Sequence, residues 1–167
     1  QKRGLESARL DPGCDGYMFW TIVDVGSISA QGLCNPFWEP KKSTPEFFRE
    51  FNSPTVILAY LSPDGRILAD GDELSIEWWI SHFERAAIES KTLKWKLVAG
   101  NITVDSGEVR GITTDETGEV RAVGKTTIKI PSLDRLQAKI RGNKFTVVSF
   151  RWTGAASMKF SPISSGS

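Results

Sequence analysis

The sequence predicts an all-β protein: an antiparallel, jelly-roll-like β-sandwich with one or two short helices. Three observations carry this expectation. Seven or eight short runs rich in β-branched and aromatic residues lie along the 167 residues, and glycine and proline punctuate them at short intervals. No series of alternating strands and helices is visible, which argues against a doubly wound fold. At this length one core suffices, so the chain divides into a polar N-terminal arm (1–16), a single β-sandwich domain (17–160) and a polar, serine-rich tail (161–167).

The elements follow in order. Tyr17 to Val25 is a β-rich run with an aromatic start and reads as a buried first strand. Asn35 to Pro40 contains two prolines and reads as loop; Ser43-Thr44-Pro45-Glu46 then supplies a cap, a first-turn proline and an acid for a short helix through Phe51. Thr55 to Leu61 is a continuous apolar strand, ended by the Ser62-Pro63-Asp64-Gly65 turn, with Arg66 to Ala69 returning beside it. Between 73 and 90 two periods compete. Leu74, Ile76, Trp78 and Ile80 alternate as in a strand, while Ile76, Trp79, Ile80, Phe83 and Ala87 share a helical face. The expectation is strand to Trp79 and helix through Ile88. Strands then follow from Leu93 to Pro131, with Gly107, Gly111, Gly118 and Gly124 between and within them. A closing strand runs from Lys144 to Trp152, after a helical turn built on Leu133, Leu136 and Ile140.

Charge is distributed unevenly. Residues 120–167 hold nine basic side chains and one acid, Asp134, for a net charge of +8; residues 1–119 are net −7. Such a basic segment either attracts a polyanion or merely keeps a β surface soluble. If it binds, Lys129, Lys139, Arg141 and Lys144 are the residues expected on one RNA-facing surface. The contacts would be to the nucleic-acid backbone, since no RNA-recognition aromatic motif is present.

Catalytic signatures are sparse. His82 is the only histidine, and within a helix it reads as structural. No Gly-x-Ser-x-Gly elbow and no phosphate-binding glycine loop occurs, so the protein is expected not to be an enzyme. Asp70, Asp72 and Glu73 surround Gly71, and three carboxylates there could hold calcium, although a solvated turn has the same composition. Cys14 and Cys34 are too few for a structural zinc site and read as free, mostly buried thiols, with a disulfide between them as the alternative. Of the six tryptophans, Trp38 lies in the proline-flanked loop and is a candidate platform for a ligand or partner. Trp78 and Trp79 face opposite ways on a strand, which makes Trp78 a second candidate. No run approaches the roughly 18 apolar residues of a membrane span.

Size, short strands, few catalytic residues and a polar N-terminal segment together resemble the single jelly-roll shell domains of small RNA-virus coat proteins. That resemblance implies a viral capsid protein that self-assembles and touches RNA in the virion. The dense arginine arm of many such proteins is missing apart from Lys2, Arg3 and Arg9. The other expectation is a carbohydrate- or ligand-binding β-sandwich that uses exposed tryptophans.

Overall fold

The computed structural model of the protein describes residues 2–26, 30–41, 45–61, 71–99, 102–115, 117–131, 149–152 and 157–159. Two short helices, α1 (Lys2–Leu10) and α2 (Pro45–Asn52), precede seven strands: β1 (Thr55–Leu61), β2 (Glu73–His82), β3 (Ile88–Ala99), β4 (Ile102–Thr114), β5 (Glu119–Lys129), β6 (Ser149–Trp152) and β7 (Ser157–Lys159). They form two antiparallel sheets, ordered β1-β2-β5 and β4-β3-β6-β7. The protein is therefore the all-β fold that its sequence predicts.

The two sheets share one core because their alternating apolar residues face each other. Leu74, Ile76, Trp78 and Ile80 of β2 and Leu93, Trp95 and Leu97 of β3 are buried there, joined by Val56 and Leu58, Ile112 and Ile128. Trp78 and Trp95 stack across the sheets with centroids 6.4 Å apart and planes at 25°. Two glycines make room for this packing. A Cβ on Gly107, the register partner of Trp95, would lie 2.6 Å from the indole, and one on Gly124 of β5 would lie 2.8 Å from Val109 of β4.

Three elements differ from the sequence reading. Strand β2 continues to His82 and the expected helix over 80–88 is absent. Pairing explains this: β2 is flanked on both sides, with His82 opposite Thr55 of β1 and Glu119 of β5, and the helical alternative would expose Trp78. Within β2, His82 is buried and structural, its Nε2 donating to the Ala86 carbonyl (3.1 Å) and its Nδ1 bonded to the Thr55 hydroxyl (2.8 Å). Residues 17–25 are not a ladder strand; Val23 and Val25 are isolated bridge residues, Val23 pairing with Cys34. Residues 2–10 of the expected arm form helix α1. The return strand expected at 66–69 and the helical turn at 133–140 lie outside the described residues.

Helix α1 escapes an apolar-periodicity search because the face it buries is Leu5, Glu6 and Arg9. Arg9 ties it to the sheet: Nε donates to the Ser81 hydroxyl (3.1 Å), Nη1 to the Ser53 carbonyl (2.7 Å), and Nη2 to the carbonyls of Pro54 (3.1 Å) and Ser81 (3.2 Å). Lys2 joins the helices through Glu50 (3.1 Å) and lies 3.9 Å from Glu6.

Glu6 is buried with Oε1 lacking a hydrogen-bond partner. Burial raises its pKa above the ordinary glutamate value, Glu50 adds to the rise, and Lys2 and Arg3 oppose it. A carboxyl raised in the folded state stabilises fully below its unfolded pKa, and that contribution is lost as pH rises through the folded value. Glu6→Gln should therefore melt a few degrees higher than the parent at neutral pH and match it in mild acid, as followed by circular dichroism. An equal offset at both pH values would contradict the burial argument.

Candidate interaction surface

Residues 11–26 and 30–41 follow α1 without a helix or a ladder strand, yet they are tied by specific bonds. Tyr17 donates its hydroxyl to Asn52 Oδ1, and the Phe19 ring meets Phe48 of α2 edge-on at 5.9 Å. Further along, Asp24 is a hub. Lys41 Nζ reaches both of its oxygens, at 2.7 and 2.6 Å, and the Gly32 N–H donates to Oδ1 at 2.8 Å. The Lys41 hydrogen bond, with help from Gly32, holds the Asp24 carboxyl below the usual carboxylate range. This tie is thus complete at neutral pH and is lost only as pH falls through that depressed value.

Backbone bonds then close a small knot. Asp24 N–H donates to the Cys34 carbonyl (3.0 Å), Cys34 N–H to Ile22 (2.9 Å), and Lys41 N–H to Leu33 (3.0 Å). At its tip Asn35 accepts at Oδ1 from the N–H groups of Phe37 (2.9 Å) and Glu39 (3.0 Å), while its Nδ2 donates to Glu39 Oε2 (2.6 Å). This Asx geometry holds Trp38 at φ 64°, a left-handed conformation that costs a non-glycine residue free energy. The result is a hydrogen-bonded tip presenting two rings, Phe37 (81% exposed) and Trp38 (71%).

The same segment concentrates the exposed apolar surface of the described residues. Of nine large hydrophobic side chains that are exposed among the described residues, seven lie between 17 and 38: Tyr17, Met18, Trp20, Ile22, Val25, Phe37 and Trp38. The other two are Tyr60 and Phe83. Such clustering marks a contact surface, where scattered single residues would not.

Beside the start of the segment lies an open cleft of about 390 Å³, lined by Arg9, Asp11, Cys14, Tyr17, Asn52 and Phe83 among others. The Arg9 guanidinium is turned inward to Ser53, Pro54 and Ser81, and Cys14 Sγ lies 3.2 Å from the Gly16 carbonyl. No histidine lines the cleft, so it offers no nucleophile paired with an imidazole base.

The residues singled out by sequence fare unequally. Trp38 is exposed, as expected of a platform. Trp78 is not a platform: it has 0% exposure, and its Nε1 donates to Thr126 Oγ1 at 2.8 Å within the core. Neighbours on a strand do face opposite ways, but Trp78 takes the inner face and Trp79 is half-buried on the other. Lys129 is exposed at the end of β5, opposite Glu73 in register, while Lys139, Arg141 and Lys144 lie outside the described residues. Asp72 and Glu73 are exposed at the start of β2, and Asp70 lies outside the described residues. Among the described residues no three His, Cys, Asp or Glu side chains form a group that could hold a metal ion. Cys14 and Cys34 are free and half-buried. No helix among the described residues is long and apolar enough to cross a membrane. Sequence reasoning missed Met18 and Trp20, because a strand-like run reads as core filling until it is seen to lack partners, and it passed over Phe37 beside Trp38.

The chain matches no protein-family model and no curated protein sequence. Among solved structures it is similar to Spo0M, a sporulation control protein from Bacillus subtilis, at 15% identity and a TM-score of 0.40. The match covers 63% of this chain and 46% of the other, so it spans less than half of that protein. The expectation of a viral capsid protein finds no support in these comparisons and is corrected. Asp11, Asp15, Asp24 and Glu39 lie in the same stretch of sequence as the exposed aromatics, and Lys41 is held by Asp24.

Proposed function

We propose that the protein is a non-catalytic β module that docks onto another folded protein through the aromatic segment 17–38. The carrying observation is the gathering, among the described residues, of seven of the nine exposed large hydrophobics into this one tethered segment. Its acidic setting disfavours nucleic acid and anionic lipid, leaving an apolar protein surface as the fitting partner. Magnitudes support anchoring. Burying one large apolar side chain contributes about 1.5–3 kcal/mol, so the five most prominent anchors supply on the order of 10 kcal/mol against an association cost of about 4–15 kcal/mol. Pre-setting the Phe37–Trp38 tip lowers the ordering part of that cost.

The test is the native size of the protein in extracts of its own cells, read by gel filtration at low and high salt. The parent is expected to co-migrate with a partner at both, because apolar contacts resist screening, and the Trp20→Ser, Phe37→Ser, Trp38→Ser triple variant is expected to elute alone at its monomeric size. An assembly that dissolves in salt, or that survives the triple substitution, would overturn the proposal.

A further inference from the structure

Resting on that docking surface, the geometry points to a more specific mode: residues 17–23 add as a strand to the open sheet edge of the partner protein. Four observations converge. From Met18 to Val23 exposure alternates with the period of a strand, Met18 (90%), Trp20 (67%) and Ile22 outward, Phe19, Thr21 and Val23 half-buried. The inner side already leans on α2 through Tyr17–Asn52 and Phe19–Phe48. The outer side is apolar, so in the paired state both faces would be covered, as in a strand under a helix. Among the described residues the backbone of 17–21 enters no ladder.

The backbone identifies the occupant. A smooth apolar surface laid over Met18 and Trp20 would also bury unpaired N–H and C=O groups, which is unfavourable unless the partner supplies hydrogen bonds. An open strand edge supplies them, the recognition mode known as β-augmentation. Thr21 adds a fifth, independent sign. It is β-branched and sits at φ 61°, with its hydroxyl donating to the Val23 carbonyl at 2.5 Å. A left-handed β-branched residue is strained, and extending the segment into a strand removes that strain.

The experiment places a photo-crosslinking phenylalanine derivative at position 20 or at position 38 in the full chain, in its native cells, alone and combined with Met18→Pro or Met18→Ala. Both position 18 substitutions remove the same exposed side chain, but only proline removes the N–H. The expected result is a crosslink from position 20 to a strand of a partner protein, reduced about tenfold or more by Met18→Pro and little by Met18→Ala. Unchanged melting temperatures of the purified variants show that folding is intact. Equal losses in the two variants, with the position 38 crosslink kept, would overturn strand addition and leave the docking surface standing. Crosslinks to a second copy of this chain or to lipid would overturn it as well, and absence of any protein crosslink from both positions would remove both proposals.

Discussion

Trp78→Ala is expected to destabilise the protein by about 3–5 kcal/mol, the cost of emptying a large aromatic site in a packed core. A domain's whole stability is about 5–15 kcal/mol, so much of the variant should be unfolded at physiological temperature. Trp78 has no exposed surface, stacks on Trp95 of the opposite sheet, and bonds Thr126 through its indole N–H. It stands in the middle strand of its sheet, opposite Ala59 on one side and Gly124 on the other, so neither neighbour can fill the void from its own side chain. Urea unfolding followed by fluorescence gives the value. Trp78→Phe keeps the stacking surface and loses the hydrogen bond, and should cost about 1–2 kcal/mol for that bond and the lost volume. A loss below about 1 kcal/mol for the alanine variant would mean that the two sheets do not depend on this shared core.

Arg9→Met is the second large expected effect, about 3 kcal/mol, because it leaves buried carbonyls without donors. Three carbonyls, those of Ser53, Pro54 and Ser81, and the Ser81 hydroxyl take their bonds from one guanidinium. Burial pulls the Arg9 pKa down from its ordinary value, with Tyr17 opposing the fall, so the charged form is held against a desolvation cost. Methionine retains most of the stem's packing, which isolates the polar loss. Arg9→Lys should recover little, since one ammonium cannot span a fork of carbonyls at these positions. Calorimetry should show the drop in melting temperature, and amide exchange should show α1 opening ahead of the sheets. If Arg9→Met and the parent melt together, α1 is not held by this network.

The all-β class was legible because it rests on period-two alternation, which Leu74-Ile76-Trp78-Ile80 and Leu93-Trp95-Leu97 display plainly. Helix α2 was legible from Pro45 and Glu46 at its start. Helix α1 was not, since its inner face is an arginine, a glutamate and a single leucine, a pattern that looks polar until the bonds of Arg9 are known. The end of β2 was misread because helical and strand periods coincide at Ile76 and Ile80, and only pairing with β1 and β5 separates them. As for the site, Trp38 stood out through its prolines. Trp20 did not, because a strand buried by its own sheet and a strand awaiting one have the same sequence. The basic strip drew attention through composition, yet the exposed apolar side chains gather in the acidic part of the chain.

Hydrogen exchange compared between the isolated chain and its native assembly tests the docking surface most directly. Amides of residues 17–23 should exchange quickly in the isolated chain and become protected in the assembly, while β2 and β3 stay equally protected in both. Protection gained along β5 around Lys129, with residues 17–39 unchanged, would contradict the aromatic segment as the docking surface.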